Sequence, residues 1–255
     1  KPSSSTKPSS STKPSSSTKP SSSTKPSSST TPSSSTKPSS STTPPSTTTP
    51  PTTTQPDATV DDINVPNAET DFEWVTAQQY LELSSTNITI NPVGYFYYSS
   101  HLNGIIITNY IGDRKNVHIP TTINGQPVIA IGKDAKNAYS QAYGAFNSKW
   151  IANLVLPNSL VAIESDAFNN NSLLNVTIPL GVKTIGSGAF ANNRLEKISL
   201  PSSIVDIEGN AFKNNMLTEV ALPNKLQLIH GELLAGNPLE KIKIPDSVRI
   251  ISQSA

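Results

Sequence analysis

The chain has 255 residues, of which 15% are charged, and 19 basic against 18 acidic side chains give it a formal net charge of +1. It contains no cysteine, which excludes a disulfide framework and a thiolate metal site. No apolar run reaches the roughly 18–20 residues that a membrane-spanning helix needs, so no membrane insertion is expected within the chain.

The near-neutral total conceals two opposite parts. Residues 1–56 hold six lysines and no acidic residue, a charge of +6, which leaves −5 for residues 57–255. The first part consists only of Lys, Pro, Ser, Thr and one Gln. KPSSST hexapeptides run in tandem from Lys1, with Thr31 replacing one leading lysine, and then decay into TTPPSTTTPPTTTQP. With no apolar side chain beyond proline, such a segment cannot bury enough surface to offset the entropy of ordering. It is predicted to be a disordered, polyproline-II-biased linker with an upper reach of about 3.1 Å per residue. Its Ser and Thr residues offer sites for O-glycosylation. Its lysines recur every six residues without arginine or aromatic neighbours, so the segment reads as a soluble spacer and no nucleic-acid partner is expected.

Residues 57–112 are read as an N-terminal cap. Thr70 and Glu73 have the spacing of a capping box ahead of a short helix running through Leu83. Tyr95–Tyr98 and Ile105–Thr108 flank Asn103-Gly104, a hairpin signal.

Residues 113–255 repeat. Pro157, Pro179, Pro201, Pro223 and Pro245 stand 22 residues apart. An isoleucine follows each by six residues, a large apolar residue (Phe168, Phe190, Phe212, Leu234) follows by eleven, and a leucine comes five residues after that. A fixed period of this length signals a solenoid in which each repeat is one supersecondary unit. In the repeat from Leu195, Ile198 and Leu200 alternate with Lys197 and Ser199, as in a half-buried strand. Pro201 ends that strand, and Ile204, Ile207, Ala211 and Phe212 point inward. The Asn214-Asn215 pair turns the corner, as do Asn170-Asn171, Asn192-Asn193 and Gly236-Asn237, because Asn and Gly tolerate left-handed backbone. Stacked Asn side chains there would also satisfy buried backbone groups. One repeat alone cannot offset the entropy of ordering its own backbone, but an array that shares its walls can. Strands of successive repeats are predicted to pair in parallel, about 4.8 Å apart. Upstream, Lys115–Pro120 matches the strand, and Ile131 and Ala145-Phe146 match the apolar columns. Between them lie two insertions, Ile123–Pro127 and KDAKNAYSQA.

The run GIIITNYIGDRKNVHIPTTINGQPVIAIGKDA from Gly104, followed by repeats of the type LPSSIVDIEGNAFKNN, resembles the BspA-type leucine-rich repeats of bacterial, and some protist, cell surfaces. The resemblance covers roughly residues 102–255. It implies a leucine-rich-repeat, right-handed parallel-strand solenoid with an N-terminal cap, secreted or surface-attached in a bacterial envelope and used for adhesion or binding. It implies no catalysis, and it carries over no functional residue.

Other constellations point no further. His101, His118 and His230 have no metal-ligand spacing, so no metal or cofactor is expected, and His118 is read as a surface residue. The carboxylate pairs Glu164/Asp166 and Asp206/Glu208 occupy columns that vary between repeats and are read as solvated. Gly186 and Gly188 in Ile185-Gly-Ser-Gly188 are read as turn glycines, since the motif lacks the nucleophile elbow. Sequons stand at Asn87, Asn170 and Asn175.

One surface is better defined. The outward strand positions form two columns. One holds Asn116, Asn153, Asn175, Lys197, Glu219 and Lys241, and the other holds His118, Val155, Thr177, Ser199, Ala221 and Lys243. Asn175, Thr177, Lys197, Ser199, Glu219, Lys241 and Lys243 are the candidate ligand-binding residues, for a host or matrix protein or a polysaccharide. Tyr95, Tyr97, Tyr98, Tyr110, Tyr139, Tyr143 and Trp150 form a second set, able to stack on sugars, anchor proteins or pack against the cap.

The resulting expectation is a monomeric, non-catalytic extracellular module for adhesion or recognition, held from its anchor by the linker. The alternative is an accessory fragment of a secreted polysaccharide-degrading enzyme, a cellulase or other glycosidase, whose catalytic domain lies beyond this chain. The opening on Lys1 within the hexapeptide array, and the close at Ala255 one residue before the next Phe is due, read as cut ends. The flanking reading frame would distinguish the two readings.

Overall fold

The computed structural model describes residues 62–84, 98–133 and 143–255, all within the unit Thr54–Ala255. The 1–56 linker, Asn87, Tyr95, Tyr97, Tyr139 and most of the KDAKNAYSQA insertion lie outside the described residues.

The 22-residue period builds a β-solenoid. Each repeat carries its strand residues inward and outward in alternation, then turns at its proline. The carbonyls of Pro157, Pro179, Pro201, Pro223 and Pro245 each accept a hydrogen bond from the amide three residues on, at 3.1–3.2 Å. Proline lacks a donor, so this position suits the end of a strand, where no ladder N–H is required. Ile204, Ile207, Ala211 and Phe212 are buried, as are their counterparts in the neighbouring repeats.

Parallel pairing occurs along two lines. The first is the expected one: β3 (Asn116–His118) pairs with β6 (Asn153–Val155), and β10 (Glu219–Ala221) pairs with β12 (Lys241–Lys243). Between these pairs the line thins to a single bridge, Thr177 to Ser199. The longer ladder runs instead through the isoleucine column after each proline. There β5 (Gln126–Ile131), β7 (Ala162–Ile163), β8 (Thr184–Ile185) and β9 (Asp206–Ile207) pair in sequence, and β11 (Leu228–Ile229) pairs with β13 (Ile250–Ile251). Two-residue strands leave almost no period-two signal, so the pattern marked these isoleucines as inward without showing that they pair.

The corners behave as the Asn pairs indicate. Asn170, Asn192, Asn214 and Gly236 have φ of 57°, 55°, 55° and 74°. Their successors Asn171, Asn193, Asn215 and Asn237 turn inward and bond from coil to coil. Asn193 Nδ2 donates to the carbonyls of Phe168, Phe190 and Ala191 at 2.9, 3.2 and 3.1 Å, and its Oδ1 accepts from Leu173 N at 3.1 Å. Beside this ladder the aromatic rings stack. Phe146–Phe168, Phe168–Phe190 and Phe190–Phe212 have centroids 5.0, 5.3 and 5.7 Å apart and interplanar angles of 24°, 14° and 2°. These spacings are close to the roughly 4.8 Å between paired strands, so ring stack and backbone rise together.

Tyr110 continues the stack into the cap, 5.2 Å from Phe146. It belongs to β2 (Ile105–Tyr110), which pairs in parallel with β5 and antiparallel with β1 (Phe72–Thr76). β1 therefore covers the backbone edge that the parallel sheet would otherwise expose. Two cap expectations are corrected here. β2 has β1 on one edge and β5 on the other, which leaves no edge for a hairpin closed at Asn103-Gly104. Of the expected partner Tyr95–Tyr98, Tyr98 lies in a helical turn and the rest is outside the described residues. The capping box is formed by Thr76 and Gln79, not by Thr70 and Glu73. Gln79 N donates to Thr76 Oγ1 at 3.2 Å, and Thr76 N donates to Gln79 Oε1 at 2.9 Å, at the start of α1 (Ala77–Ser84). Thr70 and Glu73 instead flank the entry to β1. The Ile123–Pro127 insertion is a two-residue hairpin. Asn124 and Gly125, with φ of 51° and 72°, join β4 (Thr122–Ile123) to β5.

At the far end, Ile242, Ile244, Ile250 and Ile251 are exposed.

Candidate functional site

The strand face is positioned by the two inward anchors on either side of it, the Leu173/Leu195/Leu217 column before each strand and the proline turn after it. Asn153, Asn175, Thr177, Lys197, Ser199, Glu219, Lys241 and Lys243 are all exposed on it, while Leu154, Val176 and Val220 between them are buried. Glu219 lies in register with Lys241, and Ala221 with Lys243. The face therefore changes character along the stack, from amide and hydroxyl groups to alternating charges. At its N-terminal end Asn153 Nδ2 donates to Asn116 Oδ1 at 2.6 Å. His118 is not an open surface residue: its N–H donates to Asn67 Oδ1 at 2.9 Å, and its Nδ1 lies 3.0 Å from the Ile63 carbonyl. The segment before the cap strand thus covers that end, and the exposed part of the face begins at Asn153.

A family model described as BspA type leucine rich repeat region matches residues 141–255 in six copies. These residues are BspA-type leucine-rich repeats. Upstream of the matched span, β3 pairs with β6 in the same parallel manner, so the coil geometry begins before residue 141. Among solved structures, a leucine rich repeat protein of T. pallidum is similar at 21% identity, covering 73% of this chain and 86% of its own, with a TM-score of 0.50. A leucine-rich repeat protein from Bacteroides ovatus has 24% identity, covering 57% of this chain and 38% of its own, with a TM-score of 0.47. A leucine rich cell surface protein from Faecalibacterium prausnitzii has 20% identity, covering 60% of this chain and 51% of its own, with a TM-score of 0.29. At such identities the likeness establishes the fold alone. No curated protein matches the chain.

Within the BspA-type repeats, the carboxylates are held by the scaffold. Asp166 accepts from Asn169 Nδ2 at 2.9 Å, and Glu208 accepts from Ser187 N at 2.8 Å. Asp206 Oδ1 lies 3.4 Å from His230 Nε2. Glu164 departs furthest from expectation. It is 3% exposed rather than solvated, because the cap folds over its column and Tyr98 donates its hydroxyl to Glu164 Oε1. Tyr98 in turn meets Tyr80 edge-on at 5.9 Å, and Tyr80 accepts from Lys133 N at 3.1 Å. Gly186 is also corrected. A Cβ there would lie 2.4 Å from Ser165 N, so it is a close approach between coils, whereas Gly188, with φ of +65°, is the turn glycine. Among the described residues, no group of three His, Asp or Glu side chains could hold a metal ion, and no helix is long and apolar enough to cross a membrane.

Burial raises the Glu164 carboxyl from 4.5 to about 7, with Glu208 adding to the rise while the Tyr98 hydrogen bond and Lys133 oppose it. In the interval from 4.5 to about 7 the folded chain keeps a proton that the unfolded chain has released. The associated stability is complete below the lower value and is lost as pH rises through the upper one. The melting temperature is therefore expected to fall between pH 4.5 and about 7, and Glu164→Gln should flatten that part of the curve. Thermal unfolding across a pH series checks this, and an unchanged slope in the variant would assign the dependence to other groups.

The aromatic set divides. Tyr98 and Tyr110 are buried and serve the cap, whereas Tyr143 and Trp150 are exposed.

Proposed function

We propose that this chain is a non-catalytic recognition module of a bacterial surface or secreted protein, acting in adhesion through the outward strand face. The observation that carries the reading is the exposed row Asn175, Thr177, Lys197, Ser199, Glu219, Lys241 and Lys243, repeated once per coil on a rigid support. An array of repeats offers a partner many contacts at a regular spacing, and a row of amides, hydroxyls and charges suits a matrix protein or a polysaccharide. Engagement of Asp166, Glu208 and Asp206 in structural contacts, and burial of Glu164, weigh against the carboxylate chemistry of a glycosidase. The Ser/Thr/Pro/Lys composition of residues 1–56 supports a spacer between this module and an anchor.

The test is Lys197→Glu combined with Lys243→Glu. The two positions lie two repeats apart, about 10 Å along the stack by strand spacing, so one ligand can contact both. Solid-phase binding to matrix proteins, mucins and cellulose should weaken in the double variant with the fold unchanged. Its salt dependence should also change, because exposed charges are screened within about 8–10 Å. Equal binding by both proteins at every salt concentration would remove this face from the reading.

A further inference from the structure

Trp150 is the most unusual residue of the repeats. It is 72% exposed yet holds φ of 62°, a left-handed conformation that is a true outlier for a bulky side chain. At this position of the repeat the positive φ occurs in this coil alone among those that follow. The positions one, two and three repeats on, Ser172, Arg194 and Met216, do not have positive φ. The backbone on both sides of Trp150 is fixed by one buried side chain, since Lys149 N and Ile151 N both donate to Asn171 Oδ1, at 3.2 and 2.9 Å. The scaffold therefore holds a large aromatic ring in solvent, in a conformation that favours glycine, without burying it. Strain of this kind concentrates at binding sites, where it pre-organises the contact.

Next to it in the chain is a groove of about 350 Å³ lined by Asn109, Tyr143, Gly144, Asn147, Ser148 and Lys149. Tyr143 is 62% exposed. Its position is also fixed, because Gly144 lies so close to the next coil that a Cβ would fall 2.1 Å from the Asp166 carbonyl. Asn147 N closes the turn onto the Gly144 carbonyl at 2.9 Å, and Ser148 Oγ donates to Asn147 Oδ1 at 2.7 Å, which orients that amide with its Nδ2 turned away from the hydroxyl.

We infer that the groove of Asn109, Tyr143, Asn147, Ser148 and Lys149, with Trp150 following Lys149 in the chain, is a polysaccharide-binding subsite separate from the strand face. The exposed Tyr143 ring offers a flat apolar surface on which the C–H face of a pyranose stacks, and the Asn147 amide and Lys149 ammonium of the same groove bond sugar hydroxyls. Trp150, one residue on from Lys149, presents a second exposed ring. A few polar groups converging on an aromatic surface are the usual make-up of a small-ligand site. A protein anchor would favour a desolvated pocket with an apolar centre, which a groove bordered by two amides, a hydroxyl and a lysine does not provide. Tyr and Trp also lose little side-chain entropy on binding, and here the backbone that carries them is already fixed. This inference goes beyond the strand face and does not depend on it.

The test uses the whole chain in native affinity gels containing hydroxyethylcellulose, xylan, yeast mannan or gastric mucin, with immobilised fibronectin as a protein arm. Retardation by at least one polysaccharide is expected, weakened ten-fold or more by Trp150→Ala and reduced by Tyr143→Ala. The melting temperature of Trp150→Ala should change little, since the side chain is 72% exposed. Trp150→Gly, which accepts the positive φ freely, gives the same readout should the alanine variant not fold. The Lys197→Glu/Lys243→Glu protein should be retarded like wild type, which separates this site from the strand face. Trp150 and the partly buried Trp74 are the two tryptophans of the chain, so polysaccharide should shift the emission of wild type and not of Trp150→Ala. Free migration in every gel overturns the inference. Retardation that Trp150→Ala and Trp150→Gly leave intact also overturns it, as does fibronectin capture that they abolish while the gels show nothing.

Discussion

Replacing Phe190 with alanine is expected to destabilise the protein by about 3–5 kcal/mol. The ring is fully buried and lies between Phe168 and Phe212, at 5.3 and 5.7 Å, so its loss opens a void with aromatic walls on both sides. That void cannot collapse easily. Phe190 N donates to the Ala211 carbonyl and Phe168 N to the Ala189 carbonyl, both at 2.8 Å, and these bonds fix the distance between coils. Each coil is stabilised by its immediate neighbours, so a gap in a central repeat weakens two interfaces together. Lys197→Ala, on the exposed strand face seven residues later, should stay within about 0.5 kcal/mol. Urea denaturation of the two variants checks the contrast, and equal penalties would refute the assignment of inward and outward columns.

How much of this was legible in the sequence varies with the range of the interactions involved. The coils were legible because the same residues meet the same neighbours every 22 positions, so burial of Phe190 follows from its column. The corner asparagines were legible for the same reason, since left-handed backbone and a polar side chain are both local requirements. The cap was not, because it occurs once. Thr70/Glu73 and Thr76/Gln79 both satisfy the capping pattern, and only the pairing of β1 with β2 makes the second the true helix start. Likewise nothing near Glu164 in the chain signals its burial, which depends on Tyr98, 66 residues away. At the strand face the exposed columns were legible, but the cover over His118 comes from Asn67 and Ile63, far upstream. Trp150 was visible as an aromatic in the first coil. Its backbone conformation was not, since left-handed φ at a tryptophan has no compositional signature.

The two asparagines of a corner pair should respond differently to substitution. Asn192 has φ of 55°, which glycine adopts freely, and its exposed side chain bonds Asn169 Oδ1 and Asn214 Nδ2 at 2.9 and 2.8 Å, where water can replace it, so Asn192→Gly is expected to be near neutral. Asn193 is buried and contributes its side chain. Asn193→Ala removes the acceptor for Leu173 N, whose bond to Oδ1 measures 3.1 Å, and an orphaned buried amide costs about 1–3 kcal/mol. The carbonyls of Phe168, Phe190 and Ala191 lose the donor as well, but each keeps a second partner, from Asn171 Nδ2, Asn215 Nδ2 and Asn170 N respectively. The alanine penalty is therefore set mainly by the amide. Asn193→Asp should be worse despite restoring an acceptor, because it places a carboxylate, which donates nothing when ionised, against three carbonyl oxygens in the interior. The expected order of stability at neutral pH is Asn192→Gly close to wild type, then Asn193→Ala, then Asn193→Asp, measured by urea denaturation. If Asn193→Asp proved as stable as Asn193→Ala, the three Nδ2 bonds would contribute nothing, and the ladder would act through its acceptor alone.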